Sequence, residues 1–199
     1  MRGRSIRVIA AVLAFAAVAG TSASASGASS PAATAEAVLI DPQPQGTPAT
    51  GTLPATFPDN PTVTVTDWSS STDQPLVTLD SGTSTAASAH GISSGAVQLA
   101  GISLFGGEIQ LQSLNVAAST ATDAVDVSGE GLVVDGLPVD LPAAGTSTPL
   151  DDWGTLAAGN QSTTAGDRTV LGLVITLSSD HDGLPAGSSI ALGAITSSA

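Results

Sequence analysis

The chain reads as all-β, an antiparallel β-sandwich or open barrel of about eight to ten short strands. Three observations carry that reading. Thr62-Val-Thr-Val-Thr66 alternates strictly, the period-two pattern of a half-buried strand. Two pairs of apolar runs satisfy a hairpin register test. Beyond the first residues helical periodicity is hard to find, and Gly and β-branched residues recur every few positions.

Arg2, Arg4 and Arg7 precede an apolar run over 8–19, and Ala23-Ser-Ala25 follows as a small-residue exit. A basic start, a run of about twelve apolar residues and an A-x-A site describe a secretory signal peptide, whereas a spanning helix needs about twenty. Residues 1–25 are therefore expected to be removed on export. No Cys marks a lipoprotein, and Gly3 separates Arg2 from Arg4, so no twin-Arg pair exists. The C-terminal run 190–199 has no long apolar tail or basic stop, so no further membrane segment is expected.

Residues 26–60 carry six of the twelve prolines, and Pro61 follows directly. Proline removes donors and fixes φ, so this stretch is expected to be a linker or loose arm, mostly disordered. Within it, 37–40 (AVLI) is apolar enough for an early edge strand. The β-domain is expected over 61–199.

Strands follow in order. Val63 and Val65 share one face, and 76–79 (LVTL) is a second run. Around Gly106-Gly107, a primed turn pairs Leu104 with Ile109, Ile102 with Leu111 and Ser103 with Gln110. Apolar partners then share one face and polar ones the other. Around Asp135-Gly136, Val134 meets Leu137 and Leu132 meets Val139, with Pro138 implying a sheet edge or a strand end. Val97 and Leu99 are out of phase with Ile102 and Leu104, so a bulge or bend is expected at Ala100-Gly101. A similar slip separates Leu111 from Leu114. The last strands are expected over 170–177 and 189–195, joined by an exposed Asp/Gly/Pro-rich turn.

The runs ISLFGG (102–107), LVVDGLPV (132–139), LGLVITL (171–177) and DGLPAGSSI (182–190) follow a Ser/Ala-rich strand. In that order they resemble the choice-of-anchor P family of exported bacterial proteins, common in actinobacteria, over about residues 84–199. The resemblance implies a secreted β-domain and carries over no catalytic residue.

Charge removes other classes. There is no Lys, and beyond the signal the only Arg is Arg168. After cleavage 17 carboxylates face that one Arg, a formal charge of −16. Nucleic-acid binding is excluded, because releasing a polyanion's counterions takes several cations. Without Cys there is no disulfide, thiolate metal site or cysteine nucleophile.

Three sites deserve weighing. Gly91-Ile-Ser93-Ser-Gly95 matches G-x-S-x-G, with His90 and His181 as partners, but a nucleophile elbow needs a helix after the Ser. The following 96–99 reads as strand, so Ser93 is expected in a plain turn between strands. Asp180 and Asp182 flank His181 in a D-x-D-G turn and are the candidate Ca²⁺ ligands, although Asp and Gly also build ordinary turns. Trp68 and Trp153 could stack on a carbohydrate, against the plainer reading that both plug the core. The expectation is a secreted, non-catalytic β-domain with a structural or interaction role and an unidentified extracellular or cell-surface partner. A small-ligand module for Ca²⁺ or carbohydrate is the alternative, and a serine hydrolase the remote one.

Overall fold

A computed structural model describes residues 32–42, 50–52, 54–71, 75–164 and 167–198. The expected signal peptide, residues 1–25, lies outside them. Two antiparallel sheets pack face to face as a β-sandwich, built from fourteen strands among the described residues. They are β1 (Ala33–Asp41), β2 (Thr50–Thr52), β3 (Ala55–Phe57), β4 (Thr62–Ser69), β5 (Val77–Ala89), β6 (Ile92–Leu104) and β7 (Ile109–Ser119). The rest are β8 (Thr122–Glu130), β9 (Val133–Val134), β10 (Leu137–Pro138), β11 (Ser147–Leu150), β12 (Gly154–Thr164), β13 (Asp167–Leu177) and β14 (Ser189–Ser198).

The first sheet runs β11-β12-β13-β14-β1-β2, with β3 also on β1. The second runs β10-β9-β7-β6-β5-β4, with β8 also on β7. Consecutive hairpins dominate both. The exceptions are β9, which returns to β7 past β8, and β1, which pairs with the last strand, Ala33 opposite Ser197 through Asp41 opposite Ser189.

That pairing changes the expected boundary. Residues 33–41 are a strand inside the first sheet, with Ala33, Ala35, Ala37 and Val38 buried. The prolines of 26–60 flank this segment rather than interrupt it, so its backbone donors stay free to join a ladder. Composition averaged over the whole stretch hides it. The strand is also not an edge, because β2 and β3 cover its outer side.

Both tested hairpins take the expected register. Leu104 pairs with Ile109, Ser103 with Gln110 and Ile102 with Leu111. Leu137 pairs with Val134, and the Val139 N–H donates to the Leu132 carbonyl. The turn between β6 and β7 is a 3-10 turn, Phe105–Gly107, with Phe105, Gly106 and Gly107 all at positive φ.

The phase slip at 100–101 is one point on a line of irregularities crossing the second sheet. Ladder pairing lapses at Asp67, Asp80, Gly101 and Gln112, four neighbouring strands at one level. Gly101 (φ +61°) sits there because a Cβ would lie 2.0 Å from the Asp80 carboxylate. Inward positions change phase across the line, from Val97 and Leu99 to Ile102 and Leu104, and from Ile109 and Leu111 to Leu114 and Val116. The strands stay in register across the line, so it is a bend with one unpaired residue on each strand rather than a bulge, and it lets both halves of each strand face the core.

The first sheet has its own line through Gly159, Gly172, Gly193 and Ala37. A Cβ on Gly172 would stand 2.2 Å from Val116 Cγ2, so the missing side chain lets the sheets approach there. Leu79, Ile102, Leu114, Leu156, Leu173, Ile175 and Leu192 fill the space between sheets. On the far face of the first sheet, Leu171, Val174, Ala191 and Ala194 form a second small cluster with Leu39.

Candidate functional site

Alternation that sends the large apolar side chains of the second sheet inward leaves its outer face to short polar ones. Register aligns them in rows. Thr64, Thr83, Gln98, Asn115 and Ser128 lie side by side across five strands. The next row is Thr62, Thr85, Ala96, Ala117 and Asp126. Ala96 and Ala117 are short, so the surface dips between their neighbours. The result is an open hollow of about 380 Å³ walled by Thr85, Ser94, Ser119 and Asp126. Hydroxyls and one carboxylate can hydrogen-bond a ligand there, while the alanines supply a small apolar floor. Arg168, the one Lys or Arg after Arg7, belongs to the other sheet.

The sequence-predicted residues lie elsewhere. Trp153 closes one end of the sandwich. It is only 9% exposed, and its ring stacks on His181 with centroids 4.2 Å apart and planes 5° apart. Phe105 meets both rings edge-on, at 5.5 Å from Trp153 and 5.0 Å from His181. His181 Nε2 pairs with Glu108 Oε2 at 2.7 Å. This ties the loop before β14 to the start of β7, and so one sheet to the other. Trp68 lies half-buried beside Leu79, against the core. The Trp153 ring is thus taken up by protein neighbours, and Trp68 contributes to packing.

The 178–188 loop was expected to be an exposed turn, yet it tucks Leu184 into the core and His181 under Trp153. Asp180 Oδ1 accepts the Ala186 N–H at 2.9 Å and so braces the loop. Asp182 is exposed at φ +43°. Among the described residues no three His, Asp or Glu side chains converge on a point that could hold a metal.

Ser93 sits at the opposite end, in β6 and fully buried. Its Oγ donates to the Ser198 carbonyl at 2.9 Å, and its N–H donates to Thr120 Oγ1 at 2.9 Å. His90 lies exposed in the β5–β6 turn at φ +53°, and His181 is engaged with Glu108 at the other end. The structure therefore gives Ser93 a joining role between strands and brings neither His to its hydroxyl. Close by, Arg168 donates to the carbonyls of Ser119 and Thr122, both at 3.4 Å, and to Gln161 Oε1 at 2.8 Å. Its status as the lone cation was the available signal for such a role.

Glu36 stands on the far face of the first sheet, opposite Ala194. Burial there raises its pKa above the ordinary carboxylate range. The hollow itself was not read from the sequence. Its signal is small residues at every second position (Thr85 and Ala87, Ser94 and Ala96, Ala117 and Ser119), and only cross-strand register brings these together.

Comparison of the chain with protein-family models, curated proteins and solved structures found no match.

Proposed function

We propose that this chain is an exported, non-catalytic β-sandwich that works as an interaction module outside the cell and meets its partner through the outer face of the second sheet. The basic–apolar–small N-terminus supports export, and the resemblance to choice-of-anchor P proteins supports an extracellular role. The observation that carries the choice of surface is the hollow over Ala96 and Ala117. Short hydroxyl side chains around it cost little conformational entropy on binding, so a partner meets a nearly preformed surface. The acidic surface disfavours anionic polymers, an effect that salt screens.

A second reading, a neutral carbohydrate ligand, draws on the same hollow, since Thr85, Ser94 and Ser119 can both donate to and accept from sugar hydroxyls and the Asp126 carboxylate can accept from them.

Ala117→Trp fills the hollow from an exposed position and tests the surface. Binding of the fluorescently tagged mature chain to cell envelopes should weaken at least tenfold, with the melting temperature unchanged. Unchanged binding would move the contact to another face. Calorimetry with neutral oligosaccharides separates the readings: heat lost in Ala117→Trp supports the carbohydrate ligand, and no heat with the parent chain leaves a protein partner.

A further inference from the structure

β4 ends the second sheet, and among the described residues it pairs only with β5. The hydrogen-bond phase shows which backbone groups remain open. The Ala86 N–H donates to the Pro61 carbonyl at 2.9 Å, so residue 61 faces β5. Alternation then turns 63 and 65 toward β5, while the N–H and C=O of Thr62, Thr64 and Thr66 point away from the sheet. The Thr64 and Thr83 hydroxyls, 3.5 Å apart, agree with the closer side-chain spacing of a non-hydrogen-bonded pair. The open edge therefore offers three donors and three acceptors on five residues, bounded by Pro61 and by Asp67 at φ +50°.

Between Pro61 and Asp67 the edge lacks the usual protection. No Lys lies along it, and no charge falls between Pro61 and Asp67. Its sequence, TVTVT, also reads the same in both directions. We propose that β4 pairs antiparallel with β4 of a second copy about a two-fold axis through Thr64. In that register Thr64 meets its own counterpart, and Thr62 meets Thr66 of the second copy. Each of these pairs exchanges both backbone bonds. Val63 falls opposite Val65 of the second copy on the inner face, and threonines stay opposite threonines on the outer face. Self-complementarity of one patch is what an isologous two-fold interface requires. Charges cooperate too, since extending the register sets Asp67 opposite the second copy's Pro61 rather than another carboxylate. The two second sheets become one continuous sheet. This interface stands independently of the partner proposed for the hollow.

Sedimentation of the mature chain in high salt, which screens repulsion between the acidic copies, tests the pairing. A concentration-dependent dimer is expected. Thr64→Lys sets like charges opposite each other at the axis and should weaken the dimer at least tenfold, with the melting temperature retained. Because the chain has no Cys, Thr64→Cys provides a separate readout. Mild oxidation should give a disulfide-linked dimer, whereas Ser128→Cys on β8, the opposite edge, should not. Monomer at every accessible concentration overturns the proposal. So does a dimer that survives Thr64→Lys, or equal cross-linking at both Cys positions.

Discussion

The two ends of the sandwich are closed by different physics. At the β6–β7 turn, rings fill the gap: Phe105, Trp153 and His181 pack on one another, with Glu108 holding the imidazole. At the β5–β6 and β7–β8 turns, hydrogen bonds fill it: Ser93 to the Ser198 carbonyl, Thr120 to Ser93, and Arg168 across to Ser119 and Thr122. A chain with so few aromatic residues closes one end by removing apolar area from water and the other by pairing polar groups. Buried aromatic area is worth more per residue than a net hydrogen bond. The ring end should therefore dominate stability and the polar end should tune it.

Trp153→Ala is the strongest way to break that contrast. Removing a buried ring that contacts Phe105 and His181 should cost about 3–5 kcal/mol, read as a lower denaturant midpoint at unchanged slope. A loss no larger than that of a polar-end variant would refute the ranking. Arg168→Ala comes next. It takes a charged donor from the Ser119 and Thr122 carbonyls, and about 2 kcal/mol should be lost, less to the extent that water replaces the guanidinium. Chemical denaturation of both variants side by side measures the gap.

Glu36→Gln should have the smallest effect, and it sharpens the comparison because Glu36 belongs to neither end. The raised pKa means that the folded chain holds this proton more tightly than the unfolded chain. Below the unfolded value both states are protonated and no penalty exists. As pH rises through the folded value, a charge must sit in a desolvated place and stability falls. Glu36→Gln should thus stabilise the neutral-pH protein by about 0.5 kcal/mol at most, and the gain should vanish in acid. Melting curves across pH test it, and a gain of equal size at all pH would point to packing instead.

Much of the second sheet was legible in the sequence. Its strands carry large apolar residues at alternate positions, and the Gly-Gly and Asp-Gly turns set the register of two hairpins before any long-range contact is considered. Even the slip at Ala100-Gly101 was readable, because Val97, Leu99, Ile102 and Leu104 must all reach one core. The first sheet was less legible. Ala33, Ala35 and Ala37 alternate, but alanine carries a faint hydrophobic signal, and nearby prolines bias composition toward a loose arm. The role of His181 was unreadable for another reason. Its partners Glu108 and Trp153 are distant in sequence, and local composition describes only the turn it sits in.

By itself the sequence determined the class of fold, the hairpin registers and the scarcity of cations. All three follow from local periodicity, turn stereochemistry and composition. Tertiary structure alone decided that β1 returns to β14, that Trp153 stacks on His181, that Ser93 joins strands, and that a hollow forms over Ala96 and Ala117. These depend on which strands become neighbours. Non-local pairing is settled by burying the whole core at once, and no short window of residues holds that information.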